Sequence, residues 1–202
     1  IDAIVNVLVP FYRKSEQALP PFGTVEAISM NILENLFQVK SFIGEALEED
    51  QFARIAHYSH GFLKRKKLFQ QRMTEGRIRN CHGDLYSANI CLADAVYIFD
   101  CIEFNERFRC IDVASDVSFL AMDLDFYGLE DLSDYFIRRF QQASGDQGLV
   151  DVLNFYQCYR AMVRGKIGLL TAHEPEVDQE IRVKALADAG KYFQLADHYA
   201  AQ

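Results

Sequence analysis

The spacing of apolar residues along the chain predicts a mainly helical protein. Between Thr24 and Ala46, apolar side chains recur at intervals of three and four residues, as on the buried face of a helix. A second helix is predicted from Asp50, a suitable N-cap, to Thr74, just before a glycine. Glycine and proline punctuation predicts four further helices in the second half of the chain, over 112–126, 132–144, 149–171 and 177–200.

Two short apolar segments between these helices predict a small β hairpin. The segments 89–92 and 96–100 flank a loop short enough to pair them antiparallel. Such a fold-back brings Asn89 and Asp100 to the same end of the hairpin. Asp84 lies on a loop five residues before Asn89. We therefore expect two carboxylates and one amide oxygen to converge.

This convergence suits Mg²⁺-assisted phosphoryl transfer. Mg²⁺ takes few oxygens from a protein and fills its other positions with water and substrate phosphates. By position, Asp84 is the candidate base, Asn89 a metal ligand, and Asp100 the main metal ligand and anchor for the cofactor phosphates. The order Asp, Asn, Asp is also that of the catalytic and metal-binding residues of protein kinases.

The sequence around these residues resembles one kinase family in particular. His-Gly-Asp-Leu-Tyr-Ser-Ala-Asn at 82–89 is similar to the catalytic loop of the aminoglycoside phosphotransferase family, whose wider relatives include choline kinase. Glu103, Arg109, Asp112 and Asp116 fit the charged series that follows in choline-kinase-like enzymes. Residues 98–125 most resemble a bacterial branch, described as aminoglycoside-phosphotransferase-like, that is often fused to a P-loop domain.

The resemblance implies a fold, a cofactor and an architecture. The fold class is mainly α with a small β hairpin, forming the C-terminal lobe of the protein-kinase-like (α+β) fold as one domain over 1–202. The catalytic loop is 82–89 and the metal-binding segment is 96–116, with Mg²⁺ and ATP or GTP as cofactors. Members of this superfamily phosphorylate different hydroxyl compounds, so the small-molecule acceptor stays open.

A kinase of this type also has an N-terminal sheet lobe with a phosphate-contacting lysine. Only 81 residues precede His82, they are predicted to be helical, and no Gly-x-Gly-x-x-Gly occurs among them. We therefore expect the N-terminal sheet lobe to be absent and the chain to be a fragment, inactive when isolated. Its expected partners are the missing lobe, a fused P-loop domain and a small-molecule hydroxyl substrate.

Two residues near the loop have alternative interpretations. His82 is expected to be structural, bonding backbone to hold Asp84 or Asp100, because no nucleophile for a triad is identifiable. Glu103 approaches the metal or the nucleotide phosphates through water, or it pairs with Arg107 or Arg109.

The charged residues further along are expected to support the site. Asp112 and Asp116 lie one helical turn apart and would repel each other without a cation, for which Arg109 is the nearest source. Arg160 and Arg164 are also one turn apart, on a mostly apolar helix. A buried arginine needs a carboxylate partner, so we expect them to pair with Asp112 or Asp116, or else to contact substrate or phosphate.

Three functional hypotheses follow. The first is an ATP- or GTP-dependent small-molecule kinase, of which this chain is the helical lobe. The second is a non-catalytic helical module, either a degenerate kinase lobe or the rigid partner of a fused domain. The third is a metal-dependent phosphohydrolase built on His82, Asp84 and Asp100, which is disfavoured because a single histidine makes a poor zinc site.

Composition excludes several classes. The formal net charge is -8, which argues against a nucleic-acid partner and is compatible with a cationic substrate. No stretch approaches 18 uninterrupted apolar residues, so no membrane partner is expected. The apolar first nine residues are interrupted by Asp2 and Asn6 and flanked by Pro10, unlike a signal peptide. Five cysteines, an odd number, suit a reducing cytoplasm, so a soluble cytoplasmic domain is expected.

Overall fold

A computed structural model describes all residues, 1–202. The prediction of a mainly helical chain with a small hairpin is confirmed. The helices are α1 Asp2–Lys14, α2 Val25–Val39, α3 Glu49–Leu63, α4 Lys66–Thr74, α5 Glu106–Arg109, α6 Val113–Phe126, α7 Glu130–Ser144, α8 Leu149–His173 and α9 Gln179–Ala200. The strands are β1 Ile78–Asn80, β2 Ile90–Leu92, β3 Val96–Ile98 and β4 Cys110–Asp112.

The predicted helices in the first half of the chain are too long. The segment predicted as a helix over 24–46 leaves the α conformation at Val39 and continues as one 3₁₀ turn, Lys40–Phe42. The segment predicted over 50–74 is two helices, α3 and α4. Arg65 lies between them with φ -77° and ψ 51°, which is outside the helical region and ends the hydrogen-bond ladder.

The apolar start of the chain forms α1. Its buried residues, Ile4, Leu8 and Tyr12 among them, lie one turn apart on a single face. The helix continues through Pro10, whose exposed ring is directed away from the buried face. This buried face brings Tyr12 into the interior, where its hydroxyl reaches α6.

A second strand pair, which the hydrophobic pattern does not predict, positions the loop of interest. β1 pairs antiparallel with β4, with Ile78 opposite Asp112 and Asn80 opposite Cys110. The predicted hairpin is β2 with β3, in the register Ile90 opposite Ile98. Because β1 ends just before residue 81 and β4 leads directly into α6, the loop that follows β1 starts beside the first turn of α6.

The interior contains one cluster of 39 buried apolar residues, and α6 lies at its centre. Every residue of α6 from Val113 to Leu124 is buried, between α7 on one side and α8 with α9 on the other. α8 and α9 approach each other closely at Gly165, where a Cβ would lie 2.5 Å from the Phe193 ring. No helix combines the length and apolar character that a membrane span requires.

Arg72 of α4 is buried between two aspartates and ties three parts of the chain together. Its Nε and Nη2 donate to Asp112 at 2.9 and 2.7 Å, and its Nη1 and Nη2 donate to Asp146 at 2.5 and 2.9 Å. All three side chains are about 1% exposed. Two bidentate carboxylates on one guanidinium satisfy the buried charge and fix the start of α6.

Replacement of this arginine should strongly destabilise the chain. In Arg72→Met, buried Asp112 loses its cation and Asp146 keeps only the longer contact with Arg77, at 3.7 Å, so we expect a loss of about 3–5 kcal/mol in the free energy of unfolding. Urea denaturation measures it. The control Arg138→Met removes an exposed arginine whose ion pair is 4.0 Å long, and should cost less than about 1 kcal/mol. Equal losses in both variants would contradict the importance of the buried triad.

Candidate functional site

The loop 82–89 begins on a buried carboxylate of α6. Asp116 is 0% exposed and accepts hydrogen bonds from the backbone N–H groups of His82 and Gly83, both at 2.9 Å. It also accepts one from the Tyr12 hydroxyl, at 2.8 Å. A buried carboxylate needs such donors, since nothing else there compensates for lost hydration. Asp116 therefore joins α1, the loop and α6 at one point.

A second aspartate of α6 holds the other half of the loop. Asp123 is 1% exposed and accepts from the backbone N–H of Ser87 at 2.9 Å. It lies seven residues after Asp116, which is two helical turns along the same face. The two carboxylates fix both halves of the loop against one rigid helix.

Gly83 makes the sharp turn that this anchoring requires. Its φ is +86°, a left-handed conformation that residues with a Cβ rarely adopt. A Cβ there would also lie 2.8 Å from the carbonyl oxygen of Phe108. The turn directs the next residue, Asp84, away from the core.

The His82 ring links the loop to the end of β3. Its Nε2 lies 2.8 Å from the carbonyl oxygen of Phe99, and its Nδ1 lies 3.3 Å from the backbone nitrogen of Asp84. A carbonyl can only accept and an N–H can only donate, so these bonds assign the neutral tautomer with hydrogen on Nε2. The ring has no acceptor capacity left for a substrate proton.

Further backbone bonds bring the loop and the strand end together. The Phe99 N–H donates to the Asn89 carbonyl at 3.1 Å, and the Ile102 N–H donates to the His82 carbonyl at 2.9 Å. Asp100 lies between these two bonds, in a left-handed conformation with φ +62°. Aspartate tolerates this region better than most residues do. The strand β3 ends at Ile98, two residues before the end predicted from the sequence.

Asp84 and Asn89 are in contact. The Asn89 amide nitrogen donates to the Asp84 carbonyl at 3.0 Å and approaches the Asp84 carboxylate at 3.4 Å. Asn89 lies in a 3₁₀ turn, Ser87–Asn89, just before β2, and is buried. With its nitrogen occupied, the amide oxygen is the atom available to a cation.

The electrostatic surroundings of the two aspartates differ. Burial raises the pKa of the Asp84 carboxyl above its ordinary value, and the positive charges of Arg160 and Arg164 oppose this rise. Asp100 is exposed, and its carboxylate makes no hydrogen bond or ion pair with the protein. Asp84 is therefore a partly desolvated carboxylate, whereas Asp100 is accessible to a ligand.

The donor set suits a hard cation that keeps most of its own water. Asn89 can supply an amide oxygen and Asp100 a carboxylate, and Mg²⁺ is commonly held by one or two protein oxygens together with substrate phosphates. No group of three or more His, Cys, Asp or Glu side chains is arranged to hold a metal ion. A zinc centre with three protein ligands therefore has no counterpart in this structure.

Some predicted pairings are wrong. Arg109 does not lie between Asp112 and Asp116: it pairs with Glu106 at 3.6 Å, while Arg72 neutralises Asp112 and backbone N–H groups satisfy Asp116. Glu103 is exposed and pairs with neither nearby arginine, since Arg107 pairs with Glu34. The salt-bridge interpretation of Glu103 is therefore wrong.

The expected pairing of Arg160 and Arg164 with Asp112 or Asp116 is also wrong. Arg160 donates from Nε to the Ser115 carbonyl at 3.1 Å, and neither arginine has a carboxylate oxygen within 4.0 Å. The two aspartates find other donors on elements that are distant in sequence, which leaves both arginines beside Asp84.

The chain is similar to three curated proteins, from Mycobacterium bovis and from two strains of Mycobacterium tuberculosis, all described as uncharacterised. Each is 36% identical over 171 residues, which cover 83% of this chain and 34% of the relative. The chain thus spans about a third of the length of the curated relatives it matches. No family model matches the chain, and no solved structure does.

Sequence reasoning missed three groups that hold the site. Asp123 carries a detectable signal, because it lies two turns from Asp116 on the same face of a mainly apolar helix. Tyr12 carries none, since 104 residues separate it from its partner. The same is true of Arg72, which lies in a polar helix and whose second partner is 74 residues away.

Loss of the Asp116 charge should loosen the loop. In Asp116→Asn one carboxylate oxygen becomes an amide NH2 group, so at least one buried donor that bonded the carboxylate faces another donor. We expect a loss of about 2–4 kcal/mol in the free energy of unfolding. Tyr12→Phe removes one donor and leaves the carboxylate bonded to the loop, so it should cost only about 1 kcal/mol. Urea denaturation of both variants should give this order, and the reverse order would argue against Asp116 as the anchor.

Gly83 should not tolerate a side chain. Gly83→Ala combines an unfavourable φ with a clash against a backbone oxygen, so a destabilisation of about 1–3 kcal/mol is expected. The control Gly61→Ala lies in α3 with no atom within 4 Å of the added methyl group. It should stabilise the helix by up to about 1 kcal/mol. Thermal unfolding of the two variants measures the contrast, and similar shifts in both would refute a special role for Gly83.

Proposed function

We propose that this chain is the helical lobe of a phosphotransferase related to the aminoglycoside phosphotransferase family. The reaction is Mg²⁺-assisted transfer of a phosphoryl group from ATP or GTP to a hydroxyl group of a small molecule. The observation that carries the proposal is the contact of Asp84 with Asn89, on a loop bonded directly to the backbone that precedes Asp100. This is the order and proximity that phosphoryl transfer needs from a base and two metal ligands.

In this mechanism Asp84 orients the attacking hydroxyl and accepts its proton. The partial burial of its carboxylate favours this role, because a carboxyl group with a raised pKa is a stronger base than one in water. Asn89 keeps Asp84 in position through its amide nitrogen and presents its amide oxygen on the other side. Asp100 presents an exposed carboxylate toward the nucleotide phosphates. When bound, Mg²⁺ would neutralise charge on these phosphates and align them for transfer.

The relatives are long enough to contain the further lobe that such an enzyme requires. They are longer than this chain, which covers 34% of their length. The proposal assigns to a further lobe the phosphate-contacting lysine and the nucleotide cover, and it allows a fused P-loop domain. Its acceptor pocket would be formed by the helices of this chain around Asp84.

Two substitutions test the assignment in the longer protein that the proposal requires. Asp84→Asn keeps the shape of the side chain but removes the base, so the transfer rate should fall at least about 100-fold. Asp100→Asn tolerates the same left-handed conformation but removes the charge, so metal-dependent transfer should be lost. The control is Asp94→Asn, in the exposed turn between β2 and β3. It should transfer phosphate at the wild-type rate. Release of labelled product from radioactive ATP or GTP is the measurement.

Near-normal turnover in Asp84→Asn or Asp100→Asn would overturn the proposal. Calorimetric titration of this chain with MgATP addresses the alternative of a non-catalytic module. We expect weak binding without a second lobe, so micromolar affinity would contradict the proposed division between two lobes. Hydrolysis of phosphate esters with Mn²⁺ or Zn²⁺ in the absence of nucleotide would favour a phosphohydrolase instead.

A further inference from the structure

Two arginines of α8 lie beside the candidate base and have no carboxylate partner. Arg160 is 5% exposed, and only its Nε donates to a protein group, the Ser115 carbonyl. Arg164, one turn later, is partly buried, and its Nε is buried without any acceptor. Both act on the charge of Asp84, yet neither has an Asp or Glu oxygen within 4.0 Å. Buried guanidinium groups are rarely left in this state.

Aromatic rings hold these arginines in place mainly by stacking, and the Tyr192 hydroxyl is the one aromatic hydrogen-bond partner, for Arg164. The guanidinium carbon of Arg160 lies 4.8 Å from the centroid of the Phe119 ring. That of Arg164 lies 4.7 Å from the Tyr86 ring and 5.5 Å from the Tyr192 ring. Stacking on a ring uses the face of a guanidinium and leaves the donors in its plane available. The arginines are thus positioned but not neutralised.

The structure also has space and a further donor on the side of Arg160. A small cleft of about 50 Å³ between α2 and α8 is lined by Arg160, Ser115 and Tyr156, whereas Arg164 and Asp84 lie outside its lining. The Tyr156 hydroxyl, one turn before Arg160, is buried and has no hydrogen-bond partner. Such a volume accommodates about three water-sized groups, comparable to a carboxylate. Asp112 also lines this cleft, but Arg72 neutralises its charge.

We infer that Arg160 and Arg164 form an anion-binding subsite beside Asp84, so that the acceptor is a hydroxyl compound carrying a carboxylate or a phosphate group. That the bound anion is the phosphoryl acceptor rests on the proposed function, but the existence of the anion site does not. Two carboxylates face the pair, Asp84 and, near Arg164, Asp123. Asp123 is already bonded to the backbone of the loop, which leaves donor capacity on both arginines. The guanidinium N–H groups that bond no protein acceptor therefore favour an anionic group over the cationic substrate suggested by the net charge.

Four probes with one three-carbon skeleton test the inference by binding alone. Glycerate carries a carboxylate, glycerol 3-phosphate a phosphate, glycerol no charge, and 3-aminopropane-1,2-diol a positive charge. We expect saturable binding of one or both anions to this chain, measured by nuclear magnetic resonance titration, and no saturation with the other two. The two anionic probes distinguish a carboxylate site from a phosphate site.

Variants connect the binding to the arginines. Arg164→Gln should weaken anion binding at least about tenfold, since hydrogen bonds to a charged group contribute about 1.5 kcal/mol or more. Arg160→Gln should act likewise, and Arg164→Gln suffices if the more buried Arg160 variant fails to fold. The control Arg138→Gln removes one exposed positive charge on α7 and should bind as the wild type does. Asp84→Asn should retain or strengthen anion binding because it removes a nearby negative charge.

The subsite would be overturned by the absence of saturable binding of either anion, by unchanged affinity in folded Arg164→Gln, or by tighter binding of the amine than of the anions. Displacement of the anion by MgATP would also overturn it, because the arginines would then hold nucleotide phosphates. The outcome is separable from the proposed function. If anion binding requires Arg164 but the longer protein transfers no phosphate, the subsite stands and the phosphotransferase proposal fails. If the longer protein instead phosphorylates uncharged acceptors and this chain binds no anion, the phosphotransferase proposal stands and the subsite fails.

Discussion

The candidate site depends on one buried carboxylate. Asp116 is inaccessible to water and bonds two consecutive N–H groups of the loop together with the hydroxyl of Tyr12. A carboxylate in the core is tolerated only with such donors, and consecutive backbone N–H groups can supply two of them only if the chain turns sharply around it. The left-handed Gly83 provides that turn. Asp84 follows directly after this turn, where its side chain is partly buried.

Three buried aspartates of the same region have their negative charge compensated in different ways. Asp112 is neutralised by the guanidinium of Arg72, which also holds Asp146. Asp116 and Asp123 carry no such cation and are satisfied by backbone N–H groups of the loop. Neutralisation by Arg72 fixes the helix relative to the rest of the core, whereas bonding by N–H groups fixes the loop relative to the helix. Together these two kinds of contact fix the loop 82–89 relative to the core.

The sequence predicts the local parts of this arrangement and not the distant ones. Asp84, Asn89 and Asp100 lie within one loop and one hairpin, so the approach of their backbone segments follows from turn length, and the helices follow from apolar spacing. Tyr12 and Asp116 are 104 residues apart, and Arg72 and Asp146 are 74 apart. In a single sequence no local pattern connects such partners. The same limit explains the wrong pairings of Arg109, Arg160 and Arg164, for which the nearest charge in sequence is not the nearest in space. It also explains the unpredicted pairing of β1 with β4.

The charge around Asp84 depends on which groups pair with the nearby aspartates Asp112 and Asp116. Because Arg72 pairs with Asp112 and the loop backbone satisfies Asp116, neither aspartate needs Arg160 or Arg164. The positive charge of α8 therefore acts on Asp84, where it opposes the effect of burial on the pKa of that carboxyl. Under the proposed subsite, the same arginines attract a negative group to within reach of Asp84. The two proposals therefore depend on one feature of the structure, because guanidinium groups of α8 without a carboxylate partner both favour the ionised form of Asp84 and attract an anionic acceptor.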